Sequence, residues 1–235
     1  MVRVGCCGFP VSMKKYFETF DVVEVQKTFY NPPKVETARK WRKEAPEGFE
    51  FTVKAWQLIT HPPSSPTYRK AGIKVEDAGF FKPIKVVFEA WERTREVAKA
   101  LEAKFLLFQT PKSFTDSEEN VKNMREFFGS IEREFVFGFE PRGWSRERIL
   151  KVCEELDLVH VVDPFVEEQL YGDIIYYRLH GEKGYRHKYS DEELERLRDM
   201  CVKEGYVMFN NVHMFDDAQR FKKLLEAGNS RQKPE

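Results

Sequence analysis

Phe135-Val-Phe-Gly-Phe-Glu-Pro-Arg142 and Ile174-Ile-Tyr-Tyr-Arg-Leu-His180 are two short runs that alternate residue by residue. In the first, Phe135, Phe137 and Phe139 share one face, while Val136, Gly138, Glu140 and Arg142 share the other. In the second, Ile175, Tyr177 and Leu179 oppose Tyr176, Arg178 and His180. A period of two is the signature of a β-strand, whose successive side chains point to opposite faces. Phe49, Phe51, Val53 and Ala55 against Glu50, Thr52, Lys54 and Trp56 repeat the pattern. Each strand therefore has one apolar face and one polar face that grows more ionisable toward its carboxyl end.

Eight such runs occur: Val2 to Cys7, Val22 to Tyr30, Phe49 to Trp56, Phe105 to Thr110, Phe135 to Arg142, Leu158 to Asp163, Ile174 to His180 and Tyr206 to Asn211. Helical stretches separate them. Val35 to Ala45 and Ala90 to Ala103 are rich in helix formers. Thr115 with Glu118, Ser190 with Glu193 and Asp216 with Gln219 have capping-box spacing, and Ser145 opens a further helix, Arg146 to Leu156. Met13 to Phe20 and Phe165 to Tyr171 suit a turn or two each. Strands alternating with helices pair in parallel, which leaves an open doubly wound sheet or a closed barrel. Central strands of an open sheet are apolar on both faces, so two-faced strands favour a closed (β/α)8 barrel of the TIM type, a single domain over residues 1–228, with 229–235 expected as a disordered tail.

The chain has 235 residues, 41% hydrophobic and 33% charged, with 39 Lys+Arg against 39 Asp+Glu. That composition supports a large core and excludes global disorder; its charge fraction leans toward thermophile proteins. Zero net charge argues against a protein that coats nucleic acid non-specifically. No run reaches the roughly 20 apolar residues of a membrane span and no signal-like leader precedes the first strand, so a cytoplasmic protein without membrane partners is expected. The 4 cysteines include no Cys-x-x-Cys pair, so disulfides are not expected. Cys6 and Cys7, adjacent on a strand, should point to opposite faces.

Two connections stand out. Gln57 to Lys85 is long, proline-rich and basic, and reads either as a lid or as a surface excursion. Gly181 to Tyr189 interleaves Tyr185 and Tyr189 with Lys183, Arg186, His187 and Lys188, a mixture suited to phosphates, bases or sugar rings. Dinucleotide-binding, Walker, zincin and nucleophile-elbow motifs are all absent.

In a barrel with its apolar faces against the helices, the polar faces line the interior: Glu24, Gln26 and Thr28; Lys54 and Trp56; Gln109; Glu140 and Arg142; Asp163; Arg178 and His180; and Asn210. Active sites of such barrels lie at the carboxyl ends of the strands. A buried salt-bridge network is the structural alternative; so many buried ionisable groups give little net stability and favour a functional reading.

Taken in order, Gly5-Cys-Cys-Gly8-Phe-Pro, Val23-Glu-Val-Gln-Lys-Thr-Phe-Tyr30, Phe51-Thr-Val-Lys-Ala-Trp56 with Ile59-Thr-His61, Phe108-Gln-Thr-Pro111, Phe139-Glu-Pro-Arg-Gly-Trp144, Tyr177-Arg-Leu-His-Gly181 and Tyr206-Val-Met-Phe-Asn-Asn211 resemble the YecE-like family, a domain family of unknown function. The resemblance spans about Val2 to Leu225. It implies a (β/α) barrel of the xylose-isomerase and endonuclease IV outline and marks Glu24, Thr28, Tyr30, Lys54, His61, Gln109, Glu140, Asp163, Arg178, His180 and Asn210. Phe9 stands where the family usually has Trp, and Pro141 to Gly143 replace its usual Arg-His-Pro run.

Three functions follow. The first is an enzyme, a hydrolase by class, on a phosphorylated or phosphodiester substrate such as a nucleotide, nucleic acid or sugar phosphate. Lys54, Arg178 and Arg142 clamp the anion, Glu140 and His180 exchange protons, and Asp163 and Asn210 orient the substrate. Thr28, Tyr30, Trp56, His61 and Gln109 complete the binding surface, and a divalent metal, if used, falls to Glu140, Asp163 and His180. The second is a non-catalytic nucleotide or single-stranded nucleic-acid binding module that stacks bases on Trp56, Tyr30, Tyr185 and Tyr189. The third is an isomerase- or hydrolase-like enzyme on an unphosphorylated sugar, with Glu140 and Asp163 as paired carboxylates.

Overall fold

In the computed structural model, which describes residues 1–182 and 184–230, strands and helices alternate. The strands are β1 (Val2–Cys7), β2 (Val22–Val25), β3 (Glu50–Lys54), β4 (Phe105–Gln109), β5 (Val136–Glu140), β6 (Val159–His160), β7 (Ile175–Leu179) and β8 (Gly205–Phe209). Among the described residues the helices are α1 (Met13–Phe17), α2 (Lys27–Tyr30), α3 (Val35–Glu44), α4 (Gln57–Thr60), α5 (Pro66–Ala71), α6 (Lys85–Ala100), α7 (Glu118–Gly129), α8 (Arg146–Leu156), α9 (Asp191–Met200) and α10 (Met214–Ser230). No helix of the described residues is long and apolar enough to cross a membrane.

All eight strands are parallel and ordered β6-β5-β4-β3-β2-β1-β8-β7, the sequential order of a barrel. The seam between β6 and β7 is nearly closed: Val162 bridges Tyr177, and the Arg178 amide donates to the Val162 carbonyl at 2.8 Å. β6 is short, and past His160 the ladder continues only in single bonds, from the Val161 amide to the Phe139 carbonyl at 2.9 Å and from the Val162 amide to the Tyr176 carbonyl at 3.3 Å.

Alternation divides the core in two. Outward residues such as Val23, Phe51, Phe108, Phe137 and Phe139 pack under the helices. α6 meets them with Val87, Ala90, Trp91, Thr94, Val97 and Ala98, the three-and-four spacing of one helical stripe. Inside the barrel lie Cys7, Val22, Phe105, Leu107, Val159, Val161, Tyr176, Tyr206 and Met208. Cys6 belongs to the outer layer and Cys7 to the inner one, as opposite faces require. Gly138 clears space for the Phe105–Tyr176 stack, whose ring centroids are 4.2 Å apart. A Cβ at Gly138 would lie 2.2 Å from Phe105 Cζ.

Boundaries depart from the sequence reading where a side chain has better local employment. The run Val22 to Tyr30 is strand only to Val25; then Thr28 Oγ1 donates to the Val25 and Lys54 carbonyls, and α2 begins at Lys27. α7 is capped by Ser117 rather than Thr115, with Asp116 held instead by the Ser145 amide and hydroxyl. α10 starts at Met214, ahead of the expected Asp216 cap, with the Met214 and Asp217 amides donating to the Asn211 and His213 carbonyls. No helix forms over Phe165 to Tyr171. α10 continues past Gly228 to Ser230; residues 231–235, where a tail was expected, lie outside the described residues. The Gln57 to Lys85 connection is pinned at both ends. α4 is wholly buried, Phe81 is buried among Phe108, Phe114 and Phe127, and the Gly79 and Phe81 amides donate to the Leu58 and Ile59 carbonyls.

Candidate active site at the carboxyl end of the barrel

Three strands deliver the charges at the centre. Arg178 of β7 is fully buried, and three of its five guanidinium N–H groups go to carboxylates. Nε and Nη2 donate to Glu24 Oε2 and Oε1 at 3.0 and 2.8 Å, and Nη1 donates to Glu140 Oε2 at 2.6 Å. Glu24 also accepts from Tyr176 Oη at 2.8 Å and from the Gln26 amide. The Tyr176 hydroxyl sits 2.7 Å from Thr52 Oγ1. Such a pattern, a bidentate guanidinium between two acids, satisfies every member of a buried ionic network. Arg178 is thus a brace between β2 and β5; its two remaining N–H groups turn to Cys7 Sγ at 3.7 Å and His180 Nε2 at 3.4 Å, so the anion clamp expected of it has no free donor for a ligand.

One layer toward the mouth, Lys54 of β3 donates to Gln109 Oε1 at 2.5 Å, and Gln109 Nε2 donates to Glu140 Oε1 at 2.7 Å. Lys54 Nζ also lies 4.0 Å from the Phe29 ring centroid. Burial first, then the Arg178 charge, pull the Lys54 ammonium down to about 8. For Glu140 burial works upward, but Arg178, His180, Arg142 and Lys54 outweigh it and hold the carboxyl at about 2. Arg142, 46% exposed on its side chain, reaches to 3.9 Å from Glu140.

His180 stands between two acids. Its Nε2 is 3.9 Å from Glu140 Oε1 and 3.4 Å from Arg178 Nη1, and its Nδ1 is 3.9 Å from Asp163 Oδ2. Burial lowers it to about 4, so it is neutral at pH 7; Arg178 facing Nε2 and the carboxylate facing Nδ1 favour the tautomer with its proton on Nδ1. Asp163 accepts from the His180 and Phe165 amides, and burial raises its carboxyl. Two acids on either side of one imidazole are thereby pushed in opposite directions, an arrangement that separates acid and base roles. Because the imidazole turns different nitrogens to them, Glu140, Asp163 and His180 do not converge on one point. Among the described residues no group of three or more His, Cys, Asp and Glu is placed to hold a metal ion.

The rim is mixed. Trp56 is half-buried, and its Nε1 proton meets no acceptor among the described residues. Tyr30 carries Lys70 over its ring at 4.7 Å. His61 is buried beside Thr60 Oγ1 at 2.8 Å, and burial together with Lys54 and Arg142 lowers it to about 3. Thr28 is spent on backbone carbonyls. Asn210 is half-buried at the end of β8. Tyr189, expected as a stacking platform, is buried against Phe165, His187 and Phe209, so only Tyr185 of that loop is exposed for stacking. His187 Nε2 lies 3.0 Å from Glu193 Oε1, and Lys183 lies outside the described residues. Cys7 is the member of the Cys6 and Cys7 pair that faces the site, as expected of one of them; Tyr176 and Thr52 join the network although they were not singled out, and the strand alternation that placed Arg178 inward places Tyr176 there as well. A cavity of about 1200 Å³ runs along Lys104, Arg133, Val159, Gln169 and Lys203 at the other end of the barrel, and its lining includes none of the charged strand-end residues. The convergent polar groups, not the volume, mark the candidate site.

The chain is 26% identical to the UPF0759 protein YunF of Bacillus subtilis (strain 168), over 91% of this chain and 85% of that protein. Its fold matches a crystal structure of a DUF72 family protein from Enterococcus faecalis V583 with a TM-score of 0.73 at 20% identity, covering 96% of this chain and 98% of that one. A DUF72 family protein from Thermotoga maritima MSB8 gives 0.70 at 25% identity, with 96% and 99% covered. More distant barrels share the fold: endonuclease IV from Thermus thermophilus at 0.52 and 10% identity, with 96% of this chain and 98% of that one covered, and D-allulose 3-epimerase from Methylomonas sp. at 0.56 and 11%, with 96% of each. The family described as protein of unknown function DUF72 matches residues 10–235, in agreement with the YecE-like resemblance, and the chain belongs to that family.

Proposed function

We propose that the carboxyl end of the barrel is the active site of an enzyme acting on a phosphorylated or phosphodiester substrate. The observation that carries this reading is the state of Glu140. Its Oε2 is taken by Arg178 and its Oε1 by Gln109, so the exposed Arg142 reaches it only at 3.9 Å and Lys54 has the neutral Gln109 oxygen for its polar partner. Ammonium and guanidinium donors there suit phosphate oxygens. Neutral His180, backed by Asp163, takes or returns a proton through Nε2. Glu140 holds the cations rather than the proton, since its carboxyl near 2 is a weaker base than the His180 imidazole near 4. Gln109, Asn210 and Trp56 orient the substrate, and Tyr30 and His61 line its approach. The likeness in fold to endonuclease IV agrees with a phosphodiester substrate, as analogy only.

The test titrates the protein with inorganic phosphate and a nitrophenyl phosphodiester at low and high salt, following heat of binding and nitrophenolate release, with and without added Mg²⁺ or Mn²⁺. Arg142→Ala, on the exposed rim, should weaken binding about tenfold at low salt and less at high salt, since exposed charges are screened. Equal affinity in both proteins would overturn the reading. Binding without turnover of any phosphate ester would favour the non-catalytic module, and turnover of sugars lacking phosphate would favour paired carboxylates.

A further inference from the structure

Lys54 is a buried cation treated unlike its neighbour. Arg178, equally deep, is matched by two carboxylates, whereas Lys54 Nζ has a neutral amide oxygen and an aromatic face for partners, and among the described residues it forms no ion pair. A buried ammonium without a counter-ion is an expensive way to stabilise a fold, and a structural role would be met by methionine. Only 7% exposed, Lys54 ends β3 on the interior face, so the barrel mouth is its route to solvent.

From this placement we infer that Lys54 is a nucleophile whose amine captures the aldehyde of an open-chain sugar phosphate as an imine. The inference rests on the phosphate reading above for the substrate's anionic group, which Arg142 meets at the rim. In the step, an ammonium proton passes to a neighbouring base and the freed lone pair of Nζ forms a bond to the carbonyl carbon. A second proton passes from that nitrogen to the carbonyl oxygen, giving a carbinolamine hydroxyl. That hydroxyl takes a second proton and leaves as water while nitrogen forms the double bond. Ammonium and aldehyde thus give iminium and water, with no net proton exchanged. Water at the barrel mouth, together with the partly exposed neutral His180, carries these protons, while the Gln109 amide only positions Lys54.

The surroundings favour the free amine. Facing Lys54 are Arg178 from β7, Glu140 from β5, Glu24 from β2, Cys7 from β1 and His61 after α4; burial and Arg178 outweigh the acids. With its ionisation near 8, about a tenth of Lys54 is neutral at pH 7, against roughly 0.03% for an ordinary lysine. Desolvation next to a second cation is an established way to activate lysine.

The experiment incubates the full chain with ribose 5-phosphate and cyanoborohydride, which reduces the imine to a stable secondary amine, and maps adducts by peptide mass spectrometry. The expected result is modification concentrated at Lys54, at least tenfold above any other lysine. Its rate should rise from pH 6.5 and level off above about 8, while surface lysines go on rising. Adducts spread over surface lysines with Lys54 unmodified would overturn the inference without touching the phosphate reading, which phosphate titration decides separately. Equal labelling of Lys54 by ribose and by ribose 5-phosphate would keep the imine and overturn the phosphate. Because the site is read in the native protein, the outcome does not depend on a variant folding; Lys54→Arg, checked by circular dichroism, should abolish the specific adduct.

Discussion

Replacing Arg178 by methionine removes the one cation shared by Glu24 and Glu140 and leaves two carboxylates buried, one fully and one nearly so. Deleting one partner of a buried ion pair costs about 3–5 kcal/mol, because the remaining charge keeps its desolvation penalty. The structure supplies a second handle on the magnitude. Glu140 is held near 2 against an ordinary 4.5, a difference worth about 3 kcal/mol, and Arg178 is the largest of the charges holding it there. At roughly 2–4 °C per kcal/mol for a chain of this size, the melting temperature should fall about 6–20 °C. The sign with pH is specific. In the wild-type protein the Glu140 contribution is present above 4.5 and lost as pH falls through about 2. In Arg178→Met burial is less opposed, the Glu140 carboxyl rises, and its protonation relieves the penalty as pH drops from 7 toward 4. Urea unfolding of both proteins at pH 7 and pH 4.5 should give a difference that shrinks at the lower pH. The triple variant Glu24→Gln, Glu140→Gln, Arg178→Met, with no buried charge in the triad, should recover most of the loss. A pH-independent difference, or one below about 1 kcal/mol at pH 7, would refute the brace.

Three further outcomes are expected. His160 is pushed down to about 4 by burial, so it stays neutral in the fold and stability is lost as pH falls from 6.5 toward 4; His160→Gln should reduce that slope by one histidine's share, leaving those of His61 and His180, read by urea midpoints at each pH, and an unchanged slope would contradict it. Gly138→Ala places a methyl 2.2 Å from Phe105 and 2.8 Å from Val161, and should cost about 1–3 kcal/mol with a changed near-ultraviolet dichroism as the Phe105–Tyr176 stack shifts; wild-type stability would mean the barrel interior yields easily. Ser190→Ala breaks a complete capping box with Glu193 at the start of α9 and should cost about 1 kcal/mol by thermal melting, with no change expected if the cap is idle.

Periodicity by itself determined the eight strands, their parallel pairing and the inward set, because a two-residue repeat assigns every side chain of a strand to a face before any contact is known. Glu24, Lys54, Gln109, Glu140 and Arg178 were all legible in this way, and the Ser145 and Ser190 caps by local hydrogen bonding alone. Pairing across the barrel was not. Glu24 and Arg178 are 154 residues apart, and only closure brings β2 opposite β7, so that Arg178 is consumed by two acids instead of meeting a ligand. Tyr189 shows the same limit: its loop has the composition of a binding surface, yet packing against Phe165 and Phe209 buries the ring. Lys54 and Arg178 read alike along the chain, two basic residues on the polar faces of strands. What separates a braced guanidinium from a lone amine is the number of carboxylates within reach, and distance in space sets that number, not position in the sequence.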